Sequence, residues 1–314
     1  MRKTHPWLAV LVVWVLFAPA RAEVRVESPY EGHPTWLKVQ LHCHTTESDG
    51  SLSPAQVLQW YRDLGFDAVA ITDHNRVTVP PAVPEGLILI PGLEKSTNEG
   101  HVVLLGVSTV PEGKDAQAVI DAARALGGYA SLAHPSWSVG FSKAELDRLQ
   151  GFSFTEVFNE VVRPFISGGG WESAVWDYLL SRGERVWGLA VDDLHGEDMF
   201  DMARGFVMVN VERASAAAIS PAVILSSLAE GNFYATTGLL LDELRVEGGR
   251  VTVRVSEPCV FHWQGPQGLP LREEDDVLSD SYEVRGDEGY VRLEVVRERD
   301  GATAWVQPFW VTEQ

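Results

Sequence analysis

Histidine and carboxylate residues recur in short clusters along this chain, and together these side chains bind divalent metal ions. Six of its nine histidines lie at the ends of predicted strands, each beside an acidic or turn residue. The clustered residues are, in chain order, His42, His44, Asp49, Asp73, His74, Glu94, His101, His134, Asp192, Asp193 and His195. Imidazole nitrogens combined with carboxylate oxygens suit zinc, manganese or iron, so the residue types predict metal chemistry.

The spacing within the first cluster supports this prediction. Because side chains alternate along a strand, His42 and His44 point to one side and Cys43 points to the other. Two imidazoles at this spacing can share one ion, although the pattern alone also arises by chance. The stronger signal is that nearly every candidate ligand follows the carboxyl end of a predicted strand, because those ends share one face of a barrel.

The elements that would position these residues alternate between strand-like and helix-like from about residue 37 to residue 238. Leu37–Cys43 and Asp67–Ile71 are predicted to be strands. Between them, Ser53 is predicted to cap a helix that has Pro54 in its first turn and Gln56 closing a capping box. Strands that alternate with helices predict a mostly parallel α/β sheet, either open or closed into a barrel.

The pattern changes after Gly238. Short runs with alternating apolar residues, such as Val251–Val255 and Val291–Val295, are separated by charged turns, and no helix pattern remains. Such a pattern indicates antiparallel strands. We therefore predict that residues 239–314 form a small β-sandwich-like module and that residues 23–238 form the metal-binding domain.

The ordered series of motifs resembles the PHP (polymerase and histidinol phosphatase) superfamily of metal-dependent hydrolases over about residues 36–238. The motifs are HxHTxxSDG, TDHN, GxE, a histidine at a strand start, AHP and DxH. The resemblance implies a distorted (β/α)7 TIM-like barrel, here with a small C-terminal antiparallel β domain. It also implies a cofactor of two to three divalent metal ions.

When the family's metal-ligand roles are assigned to the matching motifs of this sequence, the resemblance implies three sets of ligands. The first metal would be held by His42, His44, Glu94 and Asp193, the second by Glu94, His101 and His134, and the third by Asp49, His74 and His195. Glu94, Asp193 and His134 are expected to be catalytic through a metal-bridged hydroxide. Asp73 is expected to orient a ligand, and Asp192 is expected to support the site from behind or to be structural.

Three further residues are candidates for substrate contact. Arg76 follows TDHN and could clamp a phosphate, but a solvated loop arginine is equally compatible with the sequence. Lys95 has the same two interpretations. Asn159 follows a predicted strand and could reach substrate from the same face.

The charge and the N-terminus limit where the protein acts and on what. Residues 1–22 have a basic start, an apolar run and Ala20-Arg21-Ala22, which predicts a cleaved signal peptide and a periplasmic or extracellular protein. No later segment is apolar enough to span a membrane. The 25 basic and 44 acidic residues give a net charge of −19. Such acidity argues against binding a nucleic-acid duplex by phosphate neutralisation.

A small phosphorylated molecule remains compatible with the charge, because bound metal ions would supply positive charge locally. The sequence therefore predicts a metal-dependent phosphoesterase acting on a small phosphomonoester or phosphodiester. The alternative is an exported metallohydrolase of carbamate, amide or ester bonds that uses the same centre. A non-catalytic binding protein is the third interpretation. The oligomeric state is left open.

Overall fold

The computed structural model describes residues 24–164, 171–196, 203–212 and 219–313, and the predicted signal peptide lies outside them. These residues form fifteen strands: β1 Val24–Glu27, β2 Thr35–Gln40, β3 Ala68–Ile71, β4 Ile88–Ser96, β5 His101–Leu105, β6 Tyr129–Leu132, β7 Phe154–Asn159, β8 Trp187–Val191, β9 Phe206–Val211, β10 Phe233–Thr236, β11 Leu241–Glu247, β12 Arg250–Gln264, β13 Pro270–Glu283, β14 Tyr290–Arg297 and β15 Ala302–Glu313. They also form five α-helices: α1 Pro54–Asp63, α2 Ala116–Ala125, α3 Lys143–Arg148, α4 Ser173–Ser181 and α5 Pro221–Ala229.

Local sequence explains where the first helix begins and ends. The Ser53 hydroxyl accepts the backbone N–H of Gln56, and the Gln56 side chain accepts the N–H of Ser53 at 2.9 Å. This reciprocal capping box satisfies two donors that a helix start leaves unpaired. The chain then turns at Gly65, whose φ of 78° suits a residue without a Cβ. The predicted cap of α1 is thus confirmed.

The strands form one mixed sheet with an open path. Its order is β11-β12-β14-β15-β10-β9-β2-β3-β4-β5-β6-β7-β8, and β1 and β13 pair with β15 and β12. β2, β3 and β4 are parallel, as are β6, β7 and β8. β5 runs antiparallel to both its neighbours, and β9 runs antiparallel to β2.

The predicted closed (β/α)7 barrel is not confirmed. The segments that follow β2 and β8 are joined by a bridge between Cys43 and Leu194, where His44 N–H donates to the Leu194 carbonyl at 2.7 Å, and by the Asp193 N–H, which donates to the His42 carbonyl at 3.0 Å. The α/β class is confirmed, and two groups of three strands are parallel as predicted. The predicted closure is not found, and β5 and β9 run antiparallel to their neighbours, β5 because a hairpin after β4 reverses the chain.

The C-terminal strands continue the same sheet. β15 pairs with β10 on one side and with β14 on the other, and β1 pairs with its far end. Trp305 and Trp310 of β15 pack in the same hydrophobic core as Phe158 of β7. A second core lies among β11–β15 and includes Trp263 and Phe309. The division at residue 238 stays a prediction.

This topology brings the candidate ligands to one edge. The carboxyl ends of β2, β3, β4, β6 and β8 carry the histidine and carboxylate clusters. His101 opens β5, but Ser96 at the end of β4 pairs with it, so the hairpin returns His101 to the same edge. None of the helices in the described ranges is long and apolar enough to cross a bilayer.

Candidate metal centre

Four buried side chains converge on one point beyond β2, β4 and β8. His42, His44, Glu94 and Asp193 are each at most 2% exposed. His42 Nε2 lies 3.2 Å from His44 Nε2, 3.3 Å from Glu94 Oε2 and 3.2 Å from Asp193 Oδ1. His44 Nε2 lies 3.2 Å from the same Glu94 oxygen and 3.1 Å from the same Asp193 oxygen.

These separations fit the chemistry of a bound cation. Ligand atoms about 2.0–2.2 Å from a tetrahedral zinc ion are roughly 3.3–3.6 Å apart. The four donor atoms are already at nearly that spacing. Asp193 Oδ1 is moreover buried without a hydrogen-bond partner, and a buried carboxylate oxygen without one is costly. The donor set therefore fits a divalent metal ion.

A second group of potential ligands adjoins the first and shares His44. His44, Asp49, His74 and His195 each offer a ligand atom within 4.8 Å of the others. Asp49 Oδ2 lies 3.3 Å from His74 Nε2 and 3.6 Å from His195 Nε2. The structure thus brings together Asp49, His74 and His195, the predicted ligands of a third metal, and adds His44 to them.

A third group shares Glu94 with the first. His101 Nδ1 lies 2.9 Å from Glu94 Oε1, and His74 Nδ1 lies 3.2 Å from Glu94 Oε2. His134 Nε2 lies 3.1 Å from Glu94 Oε1, yet His134 belongs to none of the three groups found among the described residues. The predicted ligands His101 and His134 therefore both contact Glu94, while the group whose ligand atoms all lie within 4.8 Å of one another contains His74 instead of His134.

The close packing of histidines and carboxylates shifts their pKa values. Burial lowers the pKa of His42, but the carboxylates of Asp193 and Glu94 outweigh burial and raise it well above its usual value. Burial lowers the pKa of His44 too, but the nearby negative charges of Asp193 and Glu94 raise it to about 9. Burial raises the pKa of Glu94, yet the surrounding imidazoles hold it well below its ordinary range. The set is thus suited to exchange its imidazole protons for a dication.

Glu156 on β7 is a buried residue of the site that the sequence analysis missed. Its Oε1 lies 2.7 Å from His42 Nδ1, and its Oε2 accepts the backbone N–H of His134 at 2.7 Å. The same Oε2 accepts Asn159 Nδ2 at 2.8 Å, and that amide also reaches Asp193 Oδ2 at 3.2 Å. A lone carboxylate within the buried strand FTEVFN was the available signal.

Asp73 and Asp192 are both buried, and they hold chain segments in place. Asp73 accepts the backbone N–H of Thr45 at 2.7 Å and the hydroxyl of Ser48 at 2.8 Å, so it fixes the loop that leads to Asp49. Asp192 accepts the Tyr61 hydroxyl at 3.0 Å and the N–H of Gly205 at 2.9 Å. Neither lies in a ligand group of the described residues.

Two of the three predicted substrate contacts, Arg76 and Asn159, have other partners. Arg76 Nη2 lies 2.8 Å from a Glu47 carboxylate oxygen, and Arg76 is half-exposed outside the cavity beside the ligands. Lys95 follows Glu94 on β4, so its side chain points to the opposite face. Asn159 is fully buried and bonds Glu156 and Asp193. Substrate contact by these three residues stays a prediction.

Two of the clustered residues have strained backbones. His134 has a φ of 27° and Asp193 a φ of 54°, in the left-handed region that side chains with a Cβ rarely adopt. Such conformations persist only where the surroundings enforce them, and they concentrate at functional sites. Both residues lie two positions beyond a strand end, where the chain turns and the side chain faces the centre.

A cavity of about 720 Å³ opens onto the ligand groups. Both polar and apolar side chains line it. Its lining consists of Asp49, Ser51, His74, Glu94, His101, His134, Trp137, Val139, Val161, Asp193, His195 and Gly196. A small molecule can therefore reach His74, Glu94, His134 and Asp193 from solvent.

Comparisons with known proteins give partial likenesses. No protein-family model matches the chain. A 5'-3' exoribonuclease of Salmonella typhimurium is 38% identical over 78 residues, which cover 21% of this chain and 27% of that protein. The chain thus spans about a quarter of the length of this curated relative. An uncharacterised protein of Methanocaldococcus jannaschii is 29% identical over 142 residues, covering 39% of this chain and 82% of that protein.

A solved structure covers almost the whole chain. It is a two-domain protein from Bacteroides vulgatus containing a predicted PHP-like metal-dependent phosphoesterase, and it aligns with a TM-score of 0.52 and 18% identity. The alignment covers 93% of this chain and 100% of that one. At this identity the likeness concerns the fold. The chain is therefore similar in fold to that PHP-like protein, which agrees with the resemblance inferred from the motifs.

Proposed function

We propose that this protein is a metal-dependent hydrolase that cleaves a small phosphate ester, either a monoester or a diester. The observation that carries the proposal is the convergence of His42, His44, Glu94 and Asp193 at near-tetrahedral spacing. Two further ligand groups share His44 and Glu94 with this set. Sites that share ligands place ions side by side, the arrangement that serves phosphoryl transfer.

Different groups of residues in the chain would bind the different metal ions. His42, His44, Glu94 and Asp193 would hold one ion, and Glu94 would bridge to a second near His74 and His101. Asp49 and His195 face the cavity and would hold a further ion with His74. When bound, divalent zinc, manganese or iron supplies Lewis-acid activation of water and neutralises phosphate charge. Glu156 and Asn159 orient the ligands from behind.

The substrate class is open to nucleotides. The relative from Salmonella typhimurium is named a 5'-3' exoribonuclease, so a nucleotide falls within the proposed chemistry. The net charge of −19 still argues against a protein that holds a duplex by its own cations. We further propose that the enzyme acts after export, on the basis of residues 1–22.

Metal analysis and activity assays on the purified protein test the proposal. We expect two to three divalent ions per chain and metal-dependent release of p-nitrophenol from aryl phosphomonoesters or phosphodiesters. His42→Ala should lower hydrolysis by at least 100-fold, because it removes a ligand from the most buried set. The control is His262→Ala, since His262 pairs with Glu273 on the C-terminal strands, away from the centre.

Three results would contradict the proposal. They are a folded protein that binds no divalent ion, full activity in His42→Ala, and hydrolysis of carbamate esters with none of phosphate esters. The last result would support the alternative hydrolase chemistry at the same centre.

A further inference from the structure

The lining of the cavity beside the ligand groups includes three apolar residues, which we call its apolar wall. Trp137, Val139 and Val161 line it together with the histidines and carboxylates. The Trp137 ring stands nearly perpendicular to the His134 ring, with the ring centroids 5.2 Å apart. An apolar surface therefore begins one side chain away from the centre, where the organic part of a phosphate ester would lie.

Hydrogen bonds hold this wall in place. Trp137 N–H donates to the His134 carbonyl at 2.9 Å, and Phe141 N–H donates to the Pro135 carbonyl at 2.9 Å. Gly140 is packed so closely that a Cβ would lie 2.3 Å from the Pro135 oxygen. The loop from His134 to Phe141 thus presents Trp137 in a preformed position, and a bound group would lose little affinity to ordering the loop.

The described lining contains no lysine or arginine. Nearby cations are engaged elsewhere, Arg76 with Glu47 and Arg163 with Glu160. Residues 165–170 and 197–202, which adjoin described parts of the site along the chain, contain no lysine or arginine in their sequence either. Charge on a substrate beyond its reacting phosphate would face carboxylates without a side-chain counter-ion.

We infer that the substrate is a phosphate ester whose organic arm is flat, apolar and uncharged, and that this arm packs against Trp137, Val139 and Val161. A planar ring placed there would bury apolar surface on both partners. A second anionic group on the same arm, away from the metal ligands, would lose hydration without finding a lysine or arginine in the described lining. This inference rests on the proposed hydrolysis of a phosphate ester and specifies its substrate class.

Three phosphodiesters that share the p-nitrophenyl leaving group test the inference: methyl, phenyl and 4-carboxyphenyl p-nitrophenyl phosphate. After division by the uncatalysed rates, kcat/KM should be about tenfold higher for the phenyl arm than for the methyl arm. The 4-carboxyphenyl arm should be slower than the phenyl arm. Trp137→Ala should bring the phenyl-to-methyl ratio close to one, and Trp137→Phe should keep most of it.

The control is Val79→Ala, because Val79 is 84% exposed and lies outside the cavity. It should leave all three rates unchanged. A phenyl-to-methyl ratio near one in the parent protein, a preference for the carboxylated arm, or an unchanged ratio in Trp137→Ala would each overturn the inference.

Calorimetry separates failure of the inference from failure of the proposed function. Phenylphosphonate should bind the metal-loaded protein about tenfold more tightly than methylphosphonate does, and Trp137→Ala should remove the difference. If no ester is hydrolysed but this difference is found, the proposed hydrolysis is wrong and the apolar subsite stands. If esters are hydrolysed and the two phosphonates bind equally, the subsite is wrong and the hydrolysis stands.

Discussion

At the scale of single residues, Glu156 connects more of the centre than any other side chain outside the ligand groups of the described residues. A carboxylate can only accept, so the hydrogen shared with His42 lies on Nδ1 and leaves Nε2 free to face the ligand set. The same carboxylate fixes the backbone of His134 and the amide of Asn159. Partners of this kind set the tautomer and direction of a ligating histidine.

Glu156→Gln should therefore weaken metal binding about tenfold or more. The amide has one accepting oxygen for three donors, so at least one of the groups around it is left facing an N–H. Competition with a chromophoric chelator measures the affinity, and the visible spectrum of the cobalt-substituted protein reports the ligand geometry. Glu243→Gln, on the surface of β11, is the control. Unchanged affinity with an unchanged cobalt spectrum would show that Glu156 does not position His42.

At the scale of secondary-structure elements, the sequence predicted features that are set by residues close together along the chain, such as where a helix or strand lies. The predicted strands Leu37–Cys43 and Asp67–Ile71 correspond to β2 and β3, and the helix that Ser53 was predicted to cap is α1. The direction of β5 depends on pairing with both β4 and β6, which the local pattern of His101–Leu105 does not encode. The pairing of Arg76 with Glu47 likewise depends on how two separate loops meet.

Glu172 at the start of α4 has a buried carboxyl, and the sequence alone does not reveal this burial. Its Oε2 accepts the N–H of Ser136 at 3.1 Å, while its Oε1 is buried without a partner. Burial raises its pKa from 4.5 to about 7, and the Glu156 carboxylate adds to the rise. A helix N-terminus favours a negative charge by only about 0.3–1 kcal/mol, so burial outweighs it.

Glu172→Gln should stabilise the protein at pH 8 relative to the parent and change little at pH 4. A carboxyl whose pKa is raised by folding contributes its full stability below pH 4.5, and that stability is lost as the pH rises through about 7. The gain at pH 8 should be on the order of 2 kcal/mol. Urea unfolding of both proteins at the two pH values measures it. An equal difference at both values would mean that the Glu172 carboxyl does not titrate on folding.

At the scale of the whole molecule, a buried ion pair joins the C-terminal strands to the α/β part. Arg292 on β14 is 1% exposed, and its Nε and Nη2 donate to the two oxygens of Asp177 on α4 at 2.7 and 2.6 Å. The guanidinium also lies 5.2 Å from the Trp176 ring centroid. This ion pair and the pairing of β10 with β15 join the two parts, and the charges of Arg292 and Asp177 are buried only while the parts stay packed together.

Arg292→Met should lower the free energy of unfolding by about 3 kcal/mol or more, because it leaves the Asp177 carboxylate buried without its cation. The double variant Asp177→Asn/Arg292→Met should recover at least half of that loss, since neither partner then carries a buried charge. Arg254→Met is the matched control: Arg254 pairs with Asp242 at the surface, and such pairs are worth about 1 kcal/mol or less. Denaturant unfolding followed by tryptophan fluorescence measures all four proteins. A double variant as unstable as Arg292→Met would show that packing of the Arg292 side chain, rather than compensation of buried charge, holds the two parts together.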